Sequence, residues 1–124
     1  MLKKLSVFIC VLLALALGFQ GCEYSTVTPV RPSTDQQVSF QRDIQIPIFD
    51  TKCVSCHMPG TTPPDLSSSN SYNSLFSGGF IDTVTPAQSS LYLSMISGGS
   101  MSAYCNASEA QLVLTWISQG AKNN

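Results

Sequence analysis

The sequence predicts an all-α domain, and three observations carry that reading. No stretch alternates apolar and polar residues for long enough to make a strand. Residues 40–49 bring apolar side chains back at four-residue intervals, and the last 17 residues hold an apolar stripe between a capping signal and a glycine stop. At 124 residues there is room for one small domain. With 10% charged residues and a net charge of −1, the chain has no basic surplus for nucleic acid and no acidic block. Its single histidine, His57, excludes a multi-histidine metal enzyme, although a Ser–His–Asp hydrolase survives by count.

Residues 1–4 make a short basic start, and Leu5–Leu17 is an apolar run ending at Gly18. The run is too short to span a bilayer and fits a secretory signal peptide. Phe19-Gln20-Gly21-Cys22 resembles a bacterial lipoprotein signal, with Phe19 where leucine is usual. Cys22 is therefore the expected lipidation site and membrane anchor; the alternative is ordinary cleavage that leaves Cys22 a free thiol. The expected organisation is a signal peptide at 1–21, a Ser/Thr/Pro/Gln-rich tether at 22–37 and a folded domain at 38–124. Beyond the signal, four bases (Arg31, Arg42, Lys52, Lys122) face all seven acids. An exported chain works in an oxidising compartment. A domain this small is near the limit for a self-sufficient core, so a cofactor or staple is expected.

Within the domain, Ser39 caps a helix bearing Phe40, Ile44, Ile48 and Phe49, which Pro47 is expected to kink or end early. Residues 59–71 read as a loop. Helices follow at Ser71–Ser77 and Pro86–Ser97, stopped by Gly78-Gly79 and Gly98-Gly99. The last opens on the capping box Ser108-Glu109-Ala110-Gln111, carries Leu112, Val113, Trp116 and Ile117, and stops at Gly120.

Cys53-Val54-Ser55-Cys56-His57 is a C-x-x-C-H motif, the signature of covalent c-type haem attachment. On a helical turn, residues three or four apart share a face, so two thiols and an imidazole address one flat ring. A thioredoxin-like pair would want a βαβ context. A zinc site would need four ligands from Cys53, Cys56, His57 and Cys105. A Cys53–Cys56 structural disulfide is the plainest alternative.

The residues from Ser39-Phe-Gln-Arg-Asp-Ile-Gln through Pro47-Ile-Phe-Asp-Thr-Lys to His57 resemble the start of small mono-haem class I cytochrome c domains of bacterial exported lipoproteins. So do Tyr72-Asn-Ser-Leu75, Ser90-Leu-Tyr92 and the ending Trp116-Ile-Ser-Gln-Gly-Ala-Lys-Asn-Asn124. The resemblance covers essentially all of 38–124, with one extra residue around Ile46. It implies a small cytochrome c fold, helices wrapped around one covalently attached haem c. His57 would be one axial ligand of the iron.

No second histidine exists, so the other ligand must be sought among the methionines. Met58 adjoins His57 and cannot easily reach the opposite face. Met95 sits on a helical stripe with Leu91 and Tyr92, where core filling is the simpler role. Met101 lies in a polar loop after Gly98-Gly99 with little core to fill, and the family's distal methionine sits in a Gly-Gly-x-Met-Pro loop at this place. Here Ser102 replaces the proline, which predicts a less stiff loop. His/Met ligation raises the reduction potential and leaves no open iron position, as an electron carrier requires. Leu66, Phe76, Leu91, Met95 and Ile96 are candidate haem-pocket residues. Trp116 belongs either at the haem edge or in helix packing against Phe40 and Ile44. Pro59 is a candidate carbonyl partner for the His57 ring. Cys105 is left over, as an inert buried thiol or an intermolecular disulfide partner.

The expectation is an envelope-anchored electron-transfer cytochrome, periplasm-facing or on the outer membrane, that docks redox protein partners through weak apolar and polar contacts. It is not expected to be an enzyme, since no acid, base or second metal cluster accompanies the motif. A haem-based gas or redox sensor is the alternative if Met101 does not bind, and a zinc-binding or structural lipoprotein is a third.

Overall fold

The computed structural model describes residues 36–124; the expected signal peptide, the expected lipidation site Cys22 and the expected tether up to Asp35 lie outside the described residues. Four helices follow in order: α1 (Phe40–Cys53), α2 (Ser71–Ser77), α3 (Ser90–Met95) and α4 (Ala107–Ser118), with one 3₁₀ turn at Pro86–Gln88 before α3. Among the described residues there is no strand, so the domain is all-α as the periodicity predicts. No helix among them is long and apolar enough to cross a membrane.

Helix α1 starts at Ser39, whose Oγ accepts the Arg42 N–H while the Ser39 N–H donates to Asp43 Oδ2 at 2.8 Å. It buries Phe40, Ile44, Ile48 and Phe49, the predicted stripe. Contrary to the sequence expectation, Pro47 neither ends nor shortens it: the helix runs on to Cys53 in π-helical winding. The ladder opens with Asp43 N–H to Ser39 O and closes with Val54 N–H to Phe49 O, five residues back. Proline is costly in an α-helix because it lacks a donor and its ring strikes the carbonyl four residues earlier. A five-residue register aims the carbonyls elsewhere and takes one more residue per bonded ring, which accommodates Pro47. Ile46 is carried outward and is 53% exposed.

One aromatic cluster joins three helices. Trp116 of α4 stacks on Phe40 at 4.9 Å between ring centroids, and Tyr72 of α2 meets Phe40 edge-on at 5.5 Å. The Trp116 indole N–H donates to Lys122 O at 2.8 Å, so its one polar atom is satisfied. Tyr72 O–H donates to Ala121 O at 2.9 Å. Gln45, fully buried on α1, ties the layers together: its Nε2 donates to Asp50 Oδ1 and Leu66 O, and its Oε1 accepts the Ser71 hydroxyl of α2.

Two boundaries differ from expectation. The 86–97 segment breaks at Ser89, which is buried because its hydroxyl accepts from Asp82 N–H and donates to Asp82 O. The cap of α4 is Asn106 rather than Ser108: Asn106 Oδ1 accepts from Glu109 N–H, and Glu109 Oε2 accepts from Asn106 N–H, both at 2.9 Å. Glu109 lies at the third helical position only when counted from Asn106. At the far end Gly120, with φ +92, permits bonds from Gly120 N–H to Ile117 O and from Ala121 N–H to Trp116 O.

Candidate cofactor site

The C-terminal end of α1 delivers Cys53 to the wall of the larger cavity, about 550 Å³, in the range of small-molecule and cofactor sites (~300–1,000 Å³). The turn that follows keeps helical direction, with Cys56 N–H and His57 N–H both on Cys53 O at 3.1 and 3.0 Å. Cys53, Cys56 and His57 all face this cavity. Thr61 secures the next loop, accepting Met58 N–H and donating toward Cys56 O and Met58 O.

His57 is 8% exposed and oriented from behind. Its Nδ1 lies 3.0 Å from Thr62 O and 3.2 Å from Pro64 O. Carbonyls only accept, so Nδ1 carries a proton, and in the neutral ring Nε2 is the nitrogen with the lone pair. Among the described residues Nε2 has no hydrogen-bond partner and is not a buried orphan, and His57 lines the cavity. The orienting carbonyls are therefore those of Thr62 and Pro64, not Pro59 as expected. Proximity along the chain misled, because the loop turns at Gly60 (φ +80) and returns past the ring, where Leu66 N–H bonds His57 O at 2.7 Å.

On the same cavity's wall, the segment after α3 folds back on that helix. Met101 N–H donates to Ser94 O at 2.8 Å. Gly99 makes this approach possible, since a Cβ there would sit 2.3 Å from Leu93 O and 2.4 Å from Ser94 O. The Ser102 side chain donates to Gly99 O at 2.7 Å, and its backbone N–H reaches the same oxygen at 3.1 Å. Hydrogen bonds thus close the loop where a proline would have stiffened it. Both Met101 and Met95 face the cavity; Met95 is buried, Met101 half-buried.

The apolar walls include the expected Leu66 and Leu91, joined by Phe49 and Phe80. The periodicity places Phe49 on the buried face of α1, and Phe80 stands outside any periodic segment, in the stretch between Gly79 and the 3₁₀ turn. Three candidates lie elsewhere. Trp116 does not line the cavity, being packed on Phe40 instead. Phe76 is 39% exposed and lies against Tyr72 at 4.8 Å. Ile96 lines an adjoining, smaller cavity against α4 that shares Met95 and Cys105 with the first.

Cys105 also faces the main cavity, beside Cys53. Burial, and then the neighbouring Cys105 and Glu109, push the Cys53 thiol up to about 11. Burial likewise raises Cys105. Lys52 Nζ bridges to Glu109 Oε1 at 2.6 Å, which fastens the end of α1 to the first turn of α4 and raises the lysine. Among the described residues, no three His, Cys, Asp or Glu groups gather in a way that could hold a metal ion directly, which leaves the zinc reading without a ligand set. No protein-family model, curated protein or solved structure matches the chain.

Proposed function

We propose that the chain is an electron-transfer protein of the cell envelope that carries one covalent haem c with His/Met-ligated iron in a small cytochrome c fold. The observation that carries this reading is one cavity walled by both thiols of a C-x-x-C-H motif, its histidine and a loop methionine. The donor chemistry fits the group. Nδ1 is committed to two carbonyls, which presents Nε2 as a neutral ligand and sets the ring's orientation. Cys53 and Cys56 are free thiols, as attachment requires. When bound, the haem supplies a one-electron iron couple.

Cys53 and Cys56 would hold the ring edge, and His57 and Met101 the iron. Leu66, Leu91, Phe49 and Phe80 keep water from that space, and low polarity around the site is one of the levers that set a haem potential. The Gly99–Ser102 closure and the Met101 N–H bond to Ser94 O hold the Met101 backbone against α3, which would position its side chain to hold the iron. A lipid at Cys22 and the 22–37 tether complete the proposal: they would hold the domain at a membrane surface where it meets redox partners.

The test is an optical spectrum of the oxidised, haem-loaded chain from a cytochrome-maturing host, scanned into the far red. A weak sulfur-to-iron charge-transfer band is the expected result. A high-spin spectrum without the band would mean an open iron position and turn the reading to a sensor. No haem attachment at all would remove the haem reading altogether.

A further inference from the structure

Cys105 is the one cysteine of the described residues that a C-x-x-C-H site does not use, yet it is not remote from that site. Three observations bring it to Cys53. Both residues line the same cavity. The chain on either side is clamped: Lys52, preceding Cys53, bridges to Glu109 at 2.6 Å, and Glu109 accepts from the N–H of Asn106, the residue that follows Cys105. The two thiols also lie close enough to hydrogen-bond and perturb each other, whereas Cys56 is an exposed residue whose sulfur has the Ser55 hydroxyl as a neighbour at 3.9 Å.

The geometry points to a Cys53–Cys105 disulfide as a modification of the unloaded chain, in place of the Cys53–Cys56 bond that sequence spacing alone suggests. The step is an exchange with an exported protein disulfide or oxidised glutathione, R–S–S–R. The Cys53 and Cys105 thiols together give up two protons and two electrons, one S–S bond forms between them, and the oxidant's S–S bond breaks to leave two R–SH. The compartment implied by the signal peptide favours this direction. What the bond would do rests on the haem reading: Cys53 within a disulfide has no S–H to add to a haem side chain, so the bond must be reduced before attachment at that position, while Cys56 stays free throughout.

The assignment is tested on the full chain without haem, equilibrated with oxidised glutathione, quenched with iodoacetamide and digested with chymotrypsin. The expected product is a peptide spanning Cys53 linked to one spanning Cys105, two hydrogens lighter than the pair of reduced peptides, with Cys56 alkylated. Cys56→Ser should keep the link and Cys53→Ser should abolish it. A bond within the Cys53–Cys56 peptide, or alkylation of Cys53, Cys56 and Cys105 alike, would overturn the proposal, and neither outcome involves haem. In a maturing host, Cys105→Ser should reach full double attachment with less added reductant than the natural chain. Equal reductant dependence would overturn the gating role, while failure of both proteins to take haem would overturn the haem reading and leave the mapped bond standing.

Discussion

At the scale of single residues, the site separates groups that bind from groups that place them. His57→Ala removes the only imidazole and should abolish normal iron ligation, read as loss of the low-spin spectrum in the loaded protein. Met101→Leu should open a carbon-monoxide-binding position; if Met95→Leu does so instead, the axial sulfur is Met95, which faces the same cavity. Gly99 places Met101 without touching the cofactor space. Gly99→Ala drives a Cβ into two backbone carbonyls that cannot give way, a clash worth about 1–3 kcal/mol of stability, and should weaken the far-red band before it unfolds the domain. Cys53 and Cys56 should also differ in plain chemistry. In the reduced, unloaded chain the exposed Cys56 should alkylate first at pH 8. Cys53, raised to about 11 by burial and its neighbours, should lag until the pH approaches that value, as timed iodoacetamide labelling would show.

At the scale of elements, the junction of α1 and α4 decides whether the motif and Cys105 share a wall. Asn106 caps α4 and receives Glu109 in return, and Glu109 also holds Lys52. Asn106→Ala should cost about 1 kcal/mol, measured by denaturant unfolding of the loaded protein. Ser108→Ala should change little, because the predicted cap is not the one used. The error came from two overlapping signals: Ser108 and Asn106 are both capping residues, and only the backbone at Asn106, extended at φ −92 and ψ 166, identifies the first residue outside the helix. The π winding of α1 was equally hidden. Phe40, Ile44 and Ile48 fit a four-residue repeat in either winding, so periodicity located the buried face and could not show how the ladder passes Pro47.

At the scale of the whole molecule, the fold is small and depends on one aromatic hub and several hydrogen-bonded loops. Trp116→Ala should cost about 3–5 kcal/mol, since it removes the ring that joins α4 to Phe40 and Tyr72. That loss should appear as global unfolding at lower denaturant, without first moving the ligation spectrum, because Trp116 is outside the cavity. Acid should act on the first turn of α1 and on two loops. Asp43 is held below its usual range by the Arg42 side chain, Asp65 by the Ser67 hydroxyl and Asp82 by the Thr85 hydroxyl. Depressed carboxylates contribute stability that is complete above their ordinary value of 3.8 and lost as pH falls through the depressed ones. A melting temperature flat from pH 7 to 5 and falling below about pH 4 is the expected profile. The sequence by itself determined the helical class, the buried faces of α1 and α4, and the motif that supplies two thiols and an imidazole, because each is written in spacing along one segment. Only the tertiary structure decided that Trp116 serves the core, that Thr62 and Pro64 orient His57, that Phe80 walls the cavity and that Cys105 stands beside Cys53. Those relations join residues from different segments, and they exist only once hydrogen bonds and packing have brought the segments together.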